Sequence, residues 1–412
     1  MGDFIHFGCW NNVASKKSCF KQTFSLLNRY LDTHEVDMLS VSGDNFYPSK
    51  IKDTVFKEGR LIKESDSKVA LIHETPLAAG FQALNNLHHK IGPKGIKMIL
   101  GNHDLQTGKK LIVSKEYEYN VDRDDFEIDA SCNIIQWELK NQGNIDLDIT
   151  HVTTYSSPGF KKQSPTHVET LILMIDTSMF SDAKEIAKNN YVQCYNIFLQ
   201  EKHPGSQYTI EELRAHQLSK IVIQLGHYTY DNLILIGHHP ILTVKSKKEA
   251  VEDAEGNVTK EWRMQHTEDM PEFKEFFKHV APHIKTERIY YLCADLHLYQ
   301  HGLMTIHTGG REYRIQQYVV GTGGTELDDE YKHRDGRTMD MGELQSQRFV
   351  KETDDFHVVY QIIDYKKECG FLVCHLKDGI SFEFCYEKKG GRRTRVKNRV
   401  YNGRARLSRR LT

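Results

Sequence analysis

Four apolar runs in this chain each end in a small residue followed at once by a polar donor. Val36 to Ser42 runs into Gly43-Asp44-Asn45-Phe46-Tyr47-Pro48, and Ile99-Leu100 into Gly101-Asn102-His103-Asp104. Leu233 to Ile236 runs into Gly237-His238-His239-Pro240, and Ile289 to Cys293 into Ala294-Asp295-Leu296-His297. Carboxylate, amide oxygen and imidazole are donors for hard or borderline cations. In open α/β sheets the carboxyl ends of strands are where sites are built. A lone Gly-Asp-Asn is also an ordinary turn. Four strand ends of one form point instead to a shared site that binds metal.

The elements that must position these donors follow from hydrophobic spacing. Phe4 to Phe7 reads as a first strand ending at Gly8-Cys9. Phe20, Phe24, Leu27 and Leu31 recur at helical spacing and predict a helix over 17–33. A strand from Asp37 to Ser42 then closes a βαβ unit, which puts Cys9 and Asp44 at one edge of a parallel sheet. Further strands are expected at 97–100, 145–152, 171–175 (leading to Asp176-Thr177) and 232–236. Helices are expected at 75–89, 181–202, 210–225 and 271–279. Residues 49–72 read as loop with a short helix, 105–144 as strands and loops, and 245–270 as a charged loop around the turn Glu255-Gly256-Asn257. Beyond Asp295 the pattern is mainly β, with strands expected at 299–306, 312–320, 356–364, 370–376 and 381–386. Gly321-Thr322-Gly323-Gly324 reads first as a tight turn and second as a loop that approaches a phosphate. His6 lies an odd number of residues from Cys9, so strand alternation turns it away from the site.

With 412 residues and 27% charged side chains, the chain suits a globular protein with a sizeable core. No basic region followed by an apolar run opens it, and no run of about eighteen apolar residues occurs. The expectation is an intracellular protein with no membrane partner, its eight scattered cysteines reduced. Residues 388–412 hold eleven Lys or Arg and no acid; removing them from a net charge of -1 leaves -12 on the rest. The expected organisation is therefore one catalytic domain, 1–387, and a basic disordered tail, 388–412, suited to a polyanion such as nucleic acid.

Gly43-Asp44-Asn45, Gly101-Asn102-His103-Asp104, Gly237-His238-His239-Pro240 and Asp295-Leu296-His297, in this order, resemble the motifs of calcineurin-like metallophosphoesterases over roughly residues 3–325. Tyr47, three residues after Asp44, resembles the purple acid phosphatase branch, as does Leu173-Met174-Ile175-Asp176-Thr177. Gly8-Cys9-Trp10-Asn11 and Ala294-Asp295-Leu296-His297 are similar to sequences from large DNA viruses. The resemblance implies an α/β fold of two packed mixed β-sheets flanked by helices, with a β-rich C-terminal part. It implies two divalent or trivalent metal ions (Fe, Zn or Mn) and hydrolysis of a phosphoester substrate, in the first instance a phosphomonoester. Asp44 would bridge the ions; Cys9, Tyr47 and His297 would complete one site and Asn102, His238 and Asp295 the other. His103 would stabilise the transition state or protonate the leaving oxygen, with Asp104 orienting it. The chain departs from the family pattern twice: Cys9 stands where the first Asp is expected and Asp295 where a His is expected. Cys9 is thus read as ligand or inert core thiol, Tyr47 as ligand or packed aromatic, and His239 as ligand, phosphate contact or structural residue. The rival to the enzyme is a relative that keeps the fold for binding.

Overall fold

The computed structural model describes residues 3–11, 18–45, 54–57, 60–65, 68–71, 76–105, 135, 138–139, 141–180, 191–202, 204–205, 207–252, 258–267, 273–353, 356–377, 379–388 and 392–398. Helical spacing of apolar residues near the N-terminus produces the helix Phe20–Leu31, which buries Phe20, Phe24, Leu27 and Leu31. It connects Asp3–Phe7 to Val36–Ser42, and the two strands pair in parallel as expected. Ile91–Ile99 and Ile145–Leu147 extend that parallel run. On the other side of Asp3–Phe7, Gly370–His375, Ser381–Lys388 and Arg392–Asn398 add antiparallel strands, completing a seven-stranded mixed sheet.

A second, eight-stranded mixed sheet has a parallel centre of His167–Ile175, Thr229–Ile236, Ile289–Cys293 and Arg311–Val320. Antiparallel neighbours flank it, among them Thr150–Tyr155, Tyr299–Thr308, Phe349–Thr353 and Phe356–Lys366. The sheets pack through aromatic side chains. Tyr299 stacks on Phe384 at 4.1 Å, Tyr318 on Phe382 at 4.4 Å, and Phe4 on Tyr155 at 6.4 Å. Each such pair is worth about 0.5–1.5 kcal/mol beyond its buried area. His6 lies between the sheets, its Nδ1 3.1 Å from Ser40 Oγ and its Nε2 3.4 Å from the Cys293 carbonyl. Burial drives its pKa down to about 3, so it stays neutral, a structural residue as alternation predicts.

Several expectations need correction. Residues 54–71 hold a three-stranded ribbon instead of a loop with a helix. The charged stretch expected to be a loop is a hairpin of Thr243–Glu252 with Val258–Thr267; its Glu255-Gly256-Asn257 turn lies outside the described residues. A two-stranded hairpin needs no apolar alternation along its whole length to pair, so a charged composition does not argue against strand there. The basic tail is not disordered throughout, because Arg392–Asn398 pairs with Ser381–Lys388 as an edge strand. The cysteines are not all reduced: Cys19 and Cys369 form a disulfide across 350 residues, and Cys194 is disulfide-bonded as well. Such bonds form where the surroundings are oxidising. No described helix is long and apolar enough to cross a membrane.

Candidate metal centre

The expected donors follow their strands directly, and three of the turns are strained. Cys9, Asp44 and Asp295 have φ of 51°, 53° and 53°, the only non-glycine residues at positive φ among those described. That conformation costs an L-residue about 1–2 kcal/mol. Three such residues consume a substantial part of a net stability of about 5–15 kcal/mol. Glycine would relieve the strain at each, so side-chain chemistry is the reason to keep Cys and Asp there.

The turns close on one another. Cys9 N–H donates to the Gly43 carbonyl at 3.1 Å, and Ala294 N–H to the His238 carbonyl at 2.9 Å. Gly101 is held so tightly that a Cβ there would lie 2.4 Å from Asp44 N and 3.0 Å from His238 Cε1. The Gly321-Thr322-Gly323-Gly324 loop presses against the Cys9 turn: Gly323 and Gly324 N–H donate to the Gly8 and Cys9 carbonyls. A Cβ on Gly324 would sit 1.6 Å from the Trp10 carbonyl oxygen. Those amides hold backbone, so the loop is a clasp on the site and not a phosphate cradle.

Two donor groups result. Ligand atoms of Cys9, Asp44 and His297 lie within 4.8 Å of one another, as do those of His238, His239 and Asp295. Asp44 touches both groups, with Oδ2 3.6 Å from Cys9 Sγ and Oδ1 3.2 Å from His238 Nε2. His238 Nε2 also lies 3.1 Å from Asn102 Oδ1 and 3.5 Å from Asp295 Oδ1. Its Nδ1 is 2.6 Å from the Ser42 carbonyl, which can only accept. His238 Nδ1 therefore donates, and Nε2 faces three oxygens that hold it as an N–H until a cation takes that proton's place. A ring nitrogen facing three oxygen donors, with its other nitrogen fixed by a backbone carbonyl, is the arrangement a metal-binding histidine needs. The residues present thus fit a cation. Tyr47 lies outside the described residues.

Electrostatics agree with that fit. Burial alone would raise Asp44, but His238, His103 and His297 outweigh it and hold the carboxylate far below its usual range. Burial alone would neutralise His238, but Asp44 and Asp295 outweigh it and draw its pKa well above the ordinary value. Against the upward push of burial, the bond and charge of His238 hold Asp295 at about 2. His297 is lowered by burial, and Asp328 accepts its backbone N–H at 2.8 Å.

His103 and Asp104 differ from each other. His103 donates its backbone N–H to Asp44 Oδ1 at 3.2 Å, with Nε2 4.0 Å from Asp44 Oδ2 and a side chain partly open to solvent. Asp104 is fully buried and accepts from Gly101 N (2.7 Å), Asn45 N (2.8 Å) and Asn45 Nδ2 (3.1 Å). Trp10 Nε1 donates to Asn45 Oδ1 at 2.9 Å. Asp104 thus joins the Asp44 and Asn102 turns. Burial, then Asp44, pushes Asp104 up to about 8, and burial, then Asp104, raises the buried Glu138 well above the carboxylate range. Glu138 sits in a stretch without clear periodicity, so its role was invisible in the sequence.

No protein-family model matches the chain, and no curated protein matches it. Among solved structures it is similar to one described as "Structure of PhoD", at 10% identity and a TM-score of 0.47, covering 96% of this chain and 68% of that one. A likeness of that size carries no inference about activity.

Proposed function

We propose that this chain is a metal-dependent phosphoester hydrolase with two adjacent cation sites, acting on phosphomonoesters. The observation that carries the reading is the place of Asp44, whose two carboxylate oxygens face different donor groups. Asp44, Cys9, His297 and Tyr47 would hold one cation; Asp44, Asn102, His238 and Asp295 would hold the other. Cations there would offset the charge that repels a nucleophile from a phosphoester and would acidify water. His103, with Nε2 4.0 Å from Asp44 Oδ2 and a side chain partly open to solvent, would give a proton to the leaving oxygen. The basic residues from 388 onward are proposed to contact polyanions.

A second reading, a binding protein that keeps the fold, draws on Cys9 and Asp295, which stand where the resembled family has Asp and His. Elemental analysis of the purified chain, with hydrolysis of an aryl phosphate, separates the two. About two ions per chain with turnover is expected. His103→Ala should lower that turnover roughly a hundredfold at unchanged metal content. Bound metal without turnover supports the binding protein, and a chain that takes up no metal refutes both readings.

A further inference from the structure

His238 and His239 are neighbours in sequence and opposite in chemistry. Thr177 follows the strand His167–Ile175, and its Oγ1 lies 3.1 Å from His238 N and 2.9 Å from His239 N. Backbone N–H groups can only donate, so they occupy both acceptor positions of that hydroxyl. His239 Nδ1 is the third neighbour, at 2.9 Å. A third donor would exceed what the oxygen can accept and would strand its own hydrogen. The Thr177 hydroxyl therefore donates to His239 Nδ1, and the neutral ring keeps its hydrogen on Nε2. A nitrogen bearing hydrogen has no lone pair for a metal.

His239 is buried, and the Tyr291 hydroxyl donates to its carbonyl at 2.7 Å, so the backbone is held as firmly as the ring. A ring nitrogen lies within 4.8 Å of the donor atoms of His238 and Asp295. No described residue accepts a hydrogen bond from Nε2. The result is a ring that borders the cation site, with a fixed Nε2–H that has no partner among the described residues.

We propose that His239 is a substrate-contacting donor and not a metal ligand: its Nε2–H bonds a non-bridging oxygen of the phosphoryl group, and Thr177 sets the tautomer that makes this possible. The assignment rests on the phosphoester reading above. A neutral N–H suits that task because it recognises an anionic oxygen without competing for the cation. His238, whose Nδ1–H is held by the Ser42 carbonyl, leaves Nε2 as the nitrogen a cation would take.

The test uses the full chain in its metal-loaded form, with inorganic phosphate as probe. His239→Ala should retain the wild-type metal stoichiometry and weaken phosphate binding about tenfold or more, the scale of a hydrogen bond to a charged group. Loss of one ion from the folded variant would make His239 a ligand and overturn the proposal. Unchanged phosphate affinity would overturn it equally. Nitrogen-15 spectra of wild-type histidines give a check that needs no variant: His239 should carry its proton on Nε2, and a proton on Nδ1 refutes the assignment. Thr177→Ser, which keeps the hydroxyl, should keep wild-type phosphate affinity, and a loss equal to that of His239→Ala would count against the tautomer argument. If the wild type binds metal but no phosphate, the phosphoester reading falls and this assignment with it. If wild type binds both and His239→Ala binds both as well, only this assignment falls.

Discussion

The group around Cys9 and the group around His238 are mirror cases of one construction. Cys9 and Asp44 follow strands of the seven-stranded sheet, and His297 reaches them from a strand of the eight-stranded sheet. His238 and Asp295 follow strands of the eight-stranded sheet, and Asn102 reaches them from the seven-stranded one. Counted with the shared Asp44 and with Asn102, each proposed site draws donors from both sheets. The groups differ in softness. The first contains a thiol, which as thiolate favours Zn or Fe; the second offers only nitrogen and oxygen and tolerates harder cations. Strain follows the same division, with Cys9 and Asp44 at positive φ in the first group and Asp295 in the second.

The comparison breaks most severely at the residue both groups share. Asp44→Ala should remove most of both ions and abolish turnover while the protein stays folded. Full metal occupancy by elemental analysis of that variant would show that the groups do not depend on Asp44.

A smaller, one-sided effect is expected at Cys9. Cys9→Ser should cost about one ion of the two, because a neutral hydroxyl is a poor ligand, and the His238 group should keep its own. Cys9→Asp should restore stoichiometry and shift preference toward Mn or Mg. Metal-binding titrations of the three proteins read this directly. If Cys9→Ser matches wild type in stoichiometry and turnover, Cys9 is a core thiol and the difference in softness disappears.

The smallest effect lies at the far end of the seven-stranded sheet, where a histidine meets carboxylates for stability alone. His375 Nδ1 is 2.8 Å from Asp3 Oδ2, and Nε2 is 3.4 Å from the buried Glu383 Oε2. Those two carboxylates raise His375 to about 9 from an ordinary 6.5, against the cost of burial. The folded state therefore holds the proton more tightly than the unfolded one. The stabilisation is complete below about pH 6.5 and is lost as pH rises through about 9. His375→Gln should cost about 1.5–3 kcal/mol at pH 6 and much less at pH 10, with metal content unchanged. Denaturant titrations at the two pH values measure it, and an equal cost at both would remove the charge argument.

Much of this was legible in the residue order. Apolar runs ending in Gly or Ala before a donor located all but one of the turns that carry the candidate ligands, and the Cys9 turn followed from the first strand. Alternation along Phe4–Phe7 was enough to set His6 aside. What was missed had no local signal. The disulfide joins residues 350 apart, and nothing near either cysteine marks the other. The hairpin over 243–267 was hidden because its charged residues show no apolar period. That Asp104 also reaches back 59 residues to bond Asn45 had no local signal either.

By itself, the sequence determined which donors stand at strand ends, because a strand, a small residue and a polar side chain are consecutive and their geometry is local. It also determined that one of those donors is a thiol. The tertiary structure alone decided which donors meet, since each proposed site draws on both sheets and the packing of their aromatic faces sets the distance between them. It alone decided what two adjacent histidines can do. The order His238-His239 is silent on this; the Ser42 carbonyl and the Thr177 hydroxyl, brought from other strands, fix the hydrogen of one ring on Nδ1, with Nε2 turned to the cation site, and that of the other on Nε2.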